Sequence, residues 1–212
     1  MNIHKQSQNN FMQSATALYT ELQNNESIVE KVKSWLRVSE NKTISSWIIE
    51  QLHVQPYQHI LEVGYGNGNA LYEIAKKSKV GFLACVEESV SMYQQAYRKN
   101  KKFIEKGLMQ LHLGSVETLP YPAHYFHNIY AGNIYNSWSE PQYKFMQLNS
   151  LLRNGGKLIT VFQPQQSLTE KEIWDLAEKV QQQYTEAGFC DVRFALRDMH
   201  AATAISVVGY KE

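Results

Sequence analysis

The segment Leu61-Glu62-Val63-Gly64-Tyr65-Gly66-Asn67-Gly68-Asn69 sets three glycines at alternate positions, after an apolar run and before a helical pattern. Glycine lets the backbone turn tightly and approach a ligand with no Cβ in the way. The N-terminus of a following helix presents unpaired N–H groups. A polar ligand is therefore expected over this loop, bordered by Glu62, Gly64, Tyr65, Gly66 and Gly68. Its charge is constrained by Glu62, two residues before the first glycine. A carboxylate there repels pyrophosphate and suits an ammonium group. The dinucleotide fingerprint G-x-G-x-x-G would need a third glycine where Asn69 stands, so a nicotinamide-dependent oxidoreductase is the weaker alternative.

S-adenosylmethionine carries an ammonium and a sulfonium and no phosphate, which matches that constraint. The whole segment resembles motif I of the class I S-adenosylmethionine-dependent methyltransferases, and further stretches resemble the family in its order. Val86-Glu87-Glu88-Ser89 is similar to the end of the second strand, where the resemblance makes Glu87 the acceptor for both ribose hydroxyls and brings Glu88 beside it. Gly114-Ser115-Val116-Glu117-Thr118-Leu119-Pro120-Tyr121-Pro122 resembles the loop beside the adenine, implicating Ser115 and Val116. Ala131-Gly132-Asn133-Ile134-Tyr135-Asn136-Ser137-Trp138 resembles the end of the fourth strand, which places Asn133 near the transferred methyl. Leu151-Leu152-Arg153-Asn154-Gly155-Gly156-Lys157-Leu158 resembles the turn before the fifth strand. Ser115 stands where many relatives have aspartate, His127 where an aspartate follows Phe126, and Asn154 where the turn has proline. The likeness is nearest to small methyltransferases of the quinone-biosynthesis type. It implies methyl transfer to a small-molecule acceptor by in-line displacement, with S-adenosylhomocysteine as product. A protein that keeps the cofactor pocket without catalysis is the other alternative.

The elements that must position these residues follow from apolar periodicity. Strands are expected at His59–Val63, Val80–Val86, Met109–Leu113, Asn128–Ala131 and Lys157–Phe162, and helices at Asn69–Lys77, Ser89–Lys106 and Pro141–Leu152. Such β-α alternation implies a Rossmann-like, mostly parallel sheet with helices on both faces. A helix at Thr169–Ala187 and strands at Val192–Leu196 and Ala204–Tyr210 bring the sheet to seven strands and close it with an antiparallel hairpin. Before Pro56, Leu18, Leu22, Ile28, Val32, Trp35, Leu36, Ile44, Trp47, Ile48 and Leu52 recur at helical intervals. Residues 1–52 are thus expected to form a helical extension acting as a lid, and residues 53–212 the methyltransferase domain.

Composition excludes several classes. With 21 basic and 20 acidic residues, the chain has no net field to attract a polyanion, so nucleic acid is not an expected partner. The cluster Arg98, Lys99, Lys101 and Lys102 reads as a solvated helix end. No apolar run suffices for a membrane span, and the first residues do not read as a secretory signal, so a cytoplasmic location is expected. Cys85 and Cys190 lack metal-ligand spacing and read as core residues. None of the seven histidines has metal-site spacing, so no metal is expected. His124, His127 and His200 read as surface residues, and no general base is assigned. Tyr65, Tyr130, Tyr135 and Trp138 are candidates for lining a pocket.

Overall fold

A computed structural model describes residues 44–77, 80–199 and 202–212. The chain divides into two compact units, Met1–Glu40 and Asn41–Glu212. The helices and lid expected before residue 44, and His200, lie outside the described residues.

The second unit opens with a helix over residues 44–52 (α1). It continues as β1 (His59–Val63), α2 (Asn69–Lys77), β2 (Phe82–Glu87), α3 (Val90–Glu105), β3 (Met109–Leu113) and β4 (Phe126–Gly132). Then come α4 (Pro141–Leu151), β5 (Leu152–Phe162), α5 (Glu170–Glu186), β6 (Cys190–Asp198) and β7 (Thr203–Tyr210). The seven strands pair in the order β3-β2-β1-β4-β5-β7-β6. All neighbours are parallel except those of β7, which runs antiparallel to both β5 and β6. This is the Rossmann-like sheet expected from the alternation, with the C-terminal hairpin in place.

Alternate strand residues feed two apolar layers. Leu61, Ala84, Ile129, Leu158 and Val207 pack toward Phe145 and Leu148 of α4 and Ala177 and Val180 of α5. Ile60, Leu83, Tyr130 and Ile159 pack toward Leu71 and Ile74 of α2, Ala96 and Phe103 of α3, and Ile44, Trp47, Ile48 and Leu52 of α1. Helix α1, grouped in the sequence with the preceding segment, thus completes the core of the sheet. Its i, i+3, i+4 spacing puts four large apolar side chains on one stripe, each 4% exposed or less. Arg197 of β6 lies over the Trp47 ring at 4.5 Å and donates to Glu50 at 3.0 Å.

Four strands begin earlier than expected, β6 at Cys190 and β7 at Thr203 by only one or two residues. β4 starts at Phe126 and β5 at Leu152, because Phe126 pairs with Leu152 before a register shift leads to the Asn128–Lys157 pair. The Asn154-Gly155-Gly156 turn is therefore an irregularity inside a strand pair, with Gly155 at φ 73°. Cys85 is buried as expected, whereas Cys190 is only half-buried at the start of β6.

Candidate active site

The glycine segment sits where β1 passes into α2, at the carboxyl end of the parallel strands, where open α/β sheets form their ligand crevice. Gly64 continues the ladder by donating to Val86 O at 2.9 Å, and Gly68 closes a turn by donating to Tyr65 O at 2.9 Å. Asn67 Oδ1 accepts from the N–H of Asn69, the first residue of α2, at 3.2 Å, an Asx turn leading into the helix.

The three glycines answer to three different neighbours. A Cβ at Gly64 would lie 2.3 Å from Ile134 Cδ1, and one at Gly68 would lie 2.8 Å from Ala96 Cβ. At Gly66 a Cβ would meet nothing within 4 Å. Gly64 and Gly68 are thus fixed by packing, and Gly66 faces open space. Asn100, fully buried on α3, donates from Nδ2 to Gly68 O at 3.1 Å and ties the loop to that helix. Gly64→Ala carries both a clash and a backbone penalty at φ 73°, so it is expected to destabilise the fold by about 2–3 kcal/mol. Chemical denaturation of Gly64→Ala with and without Ile134→Ala checks this. Relief of part of the loss by the second change is expected, and no relief would refute the clash.

Glu87 is strapped at the end of β2. Its Oε2 accepts from Gly66 N and its Oε1 from Ser89 N, each at 3.0 Å. A carboxylate has about four lone-pair sites, so one on each oxygen remains for a further donor. Glu62 is 5% exposed on β1, and Tyr130 of β4 donates to its Oε2 at 2.6 Å. Burial pushes the Glu62 carboxyl up to about 8, with the Tyr130 hydrogen bond opposing and the Glu87 charge adding to the rise.

A cavity of about 320 Å³ runs over these groups. Its floor includes Glu62, Gly64, Gly66 and Glu87, and Ile44, Ser45 and Ile48 of α1 form one wall against Asn133 and Ile134. A smaller cavity of about 130 Å³ shares Gly64, Glu87, Ile134 and Ser137 with it and continues past Glu88, Ser115 and Val116 to Trp138 and Lys144. Nine of the ten residues singled out in the sequence border these two adjoining cavities, and Gly68, packed against Ala96 and Asn100, lines neither.

Not every side chain does what its position suggested. The Tyr65 ring is buried and its hydroxyl donates to His112 O at 3.3 Å, so only the rest of the residue faces the cleft. Tyr130 is fully buried and reaches the cleft only through Glu62, and Tyr135 is core, donating to Gln183 at 2.9 Å. Of the aromatic candidates, Trp138 has its ring only partly buried at the cleft. Asn133 adopts φ 55°, a left-handed conformation that asparagine tolerates, and its Oδ1 accepts from Gln163 N at 3.0 Å. Lys144, which lines the smaller cavity, pairs with Glu117.

The sequence reading missed Ser45, Met92, Ile134 and Ser137 as cleft residues. Only the i, i+4 stripe of α1 hinted that Ile44 and Ile48 would reach it. Among the described residues, no group of three His, Cys, Asp or Glu could hold a metal ion, and no helix is long and apolar enough to cross a membrane.

Residues 60–156 match the model of a methyltransferase domain. The chain is 26% identical over 181 residues to the uncharacterized methyltransferase YdaC of Bacillus subtilis, covering 85% of this chain and 98% of that protein. Among solved structures, it matches a phosphoethanolamine N-methyltransferase from Haemonchus contortus, solved with phosphomonomethylethanolamine and S-adenosylhomocysteine. The TM-score is 0.65 at 11% identity, covering 82% of this chain and 52% of that one, so this chain spans about half that enzyme's length. It also matches a SAM-dependent methyltransferase from Aquifex aeolicus with a TM-score of 0.61 at 16% identity, covering 78% of this chain and 88% of that one.

Proposed function

We propose that the chain is a class I S-adenosylmethionine-dependent methyltransferase, a reading supported by the methyltransferase-domain match and the similar relatives, and that its cleft delivers the sulfonium methyl to a small, uncharged or cationic, partly apolar acceptor. In this reading Glu87 accepts from the ribose hydroxyls and Glu62 faces the methionine ammonium. Gly64, Tyr65, Gly66 and Gly68 bring backbone against the cofactor, Glu88, Ser115 and Val116 border the adenine, and Asn133 stands at the methyl end.

The observation that carries the proposal is the charge of the main cavity. Glu87 lies on its floor beside Glu62, whose raised carboxyl ionises when a cation faces it, and no Lys, Arg or His is among its described lining residues. Such a cavity favours a ligand bearing an ammonium and a sulfonium and disfavours a phosphate. The Haemonchus enzyme was solved with a phosphate-bearing acceptor, and this cavity lacks a cation to pair with that group. The acceptor is assigned to the space between Ile44 and Ile48 of α1 and the Asn133–Ile134 loop, where apolar side chains predominate.

Methyl transfer from a sulfonium is an in-line displacement from an activated donor. The protein's part is to align the donor carbon with the attacking atom and to exclude water, and no residue is assigned as a base. Titration calorimetry of the full chain decides the cofactor: S-adenosylmethionine and S-adenosylhomocysteine are expected to bind, and NAD and NADP are not. Tight nicotinamide binding without a response to the sulfonium compound would overturn the reading. Screening small amines and phenols beside RNA for S-adenosylhomocysteine release tests the acceptor, and salt-sensitive turnover on RNA would refute it.

A further inference from the structure

A third cavity, of about 360 Å³, lies at the opposite end of the sheet from the cleft. Its floor is the α1-side face of β5, β7 and β6. Lys157 pairs with Tyr210 and Arg193 with Val208, and Ser206 continues the same alternation along β7. Gln51, at the end of α1, closes one side, with His53 just beyond. From Lys157 to the cleft end of β5 at Phe162 is five residues, roughly 17 Å of strand.

Lys157 is the unusual group. Its Nζ donates to Gln51 O at 2.6 Å, which leaves two of its three N–H groups, and it forms no ion pair with a described carboxylate. Burial holds its ammonium below the usual lysine range, the sign of a cation that lacks a counter-charge. The Gln51 carbonyl lies at the end of α1, so a capping role accounts for one hydrogen bond but leaves the charge without an anion. Arg193 adds a second cation, held at 2.9 Å by Asp191, so the lining carries one net positive charge with His53 neutral. Apolar surface from Ala195 and Val208 stands beside the charged groups, while the Phe194 side chain packs on Trp174 across the sheet.

We propose that this cavity is a second binding site, for a small monocarboxylate with an apolar or aromatic body. The carboxylate pairs with Lys157 and the Arg193 guanidinium, and the body lies on Val208 and Ala195. The site does not depend on how the cofactor cleft is read, because it shares no lining residue with it.

The test is an amide-resolved NMR titration of the full chain with benzoate, with benzamide and with inorganic phosphate. Saturable benzoate shifts are expected at Lys157, Ser206 and Tyr210, with benzamide at least tenfold weaker. Preference for phosphate over benzoate would overturn the monocarboxylate assignment. Lys157→Met is expected to weaken benzoate at least tenfold, while Lys157→Arg stays within about threefold of the parent. Should Lys157→Met fail to fold, Arg193→Gln serves instead, with an expected loss of threefold or more. Shifts confined to the cofactor cleft, equal binding of benzamide, or unchanged benzoate affinity in the folded variant would each overturn the proposal.

Discussion

Glu87→Ala is expected to lower the affinity for S-adenosylmethionine by about 10- to 150-fold, or about 1.5–3 kcal/mol. The size follows from two losses. The substitution removes charged acceptors for the ribose hydroxyls, and it releases Gly66 N and Ser89 N, both of which donate to this carboxylate at 3.0 Å. The glycine loop and the start of α3 then lose a common anchor. Glu87→Gln keeps one acceptor oxygen and is expected to fall between the two. Calorimetry gives the affinities, and circular dichroism confirms that the sheet persists. An unchanged dissociation constant in a folded Glu87→Ala protein would remove Glu87 from the cofactor site.

The second large effect is a dependence on pH set by Glu62. With its carboxyl pushed up to about 8, the free protein holds this group protonated at neutral pH. A ligand ammonium stabilises the ionised form, so binding releases a proton, and affinity should rise by up to tenfold per pH unit from pH 6 toward 8. Above that range the α-amino group, with an ordinary pKa of about 7.7–8.0, loses its own charge, and affinity turns down again. The stability of the free protein runs the other way. A carboxyl whose folded value lies above its ordinary 4.5 binds more protons folded than unfolded, so stability is full below about 4.5 and declines as pH rises toward 8. Glu62→Gln should abolish the rising limb of affinity, weaken binding about tenfold or more at pH 8, and flatten the fall in melting temperature between pH 6 and 8.5. A wild-type affinity that does not change over that range would contradict the assignment.

Much of this site was legible because its chemistry is local in sequence. Glycines at 64, 66 and 68, and the carboxylates two residues before them and at the end of β2, sit on strand ends that apolar runs mark clearly. The strands β1 and β3 and the helix α2 have the expected bounds for the same reason. What local pattern could not give is which groups from distant segments meet. Ile44 and Ile48 reach Asn133 and Ile134 only because α1 lies across Gly132, where Ile48 Cδ1 would stand 3.1 Å from a Cβ. The Tyr65 and Tyr130 rings were ambiguous because an aromatic beside a glycine loop packs inward or outward according to neighbours on other strands. The early start of β5 was hidden by Asn154-Gly155-Gly156, which reads as a turn, whereas Gly155 and Gly156 exchange hydrogen bonds with Lys211, more than fifty residues later.

The placement of β7 also governs how the sheet can be assembled. It lies between β5 and β6, so β6 has no strand to pair with until β7, the later of the two in the chain, has been made. The strands bearing the glycine loop and both carboxylates can zip together from segments ending at Phe162, while the far edge must await residues 203–210. Growth of the chain on a ribosome would therefore leave the apolar flank of β5, with Ile159 and Val161, open to wrong partners until that last strand emerges.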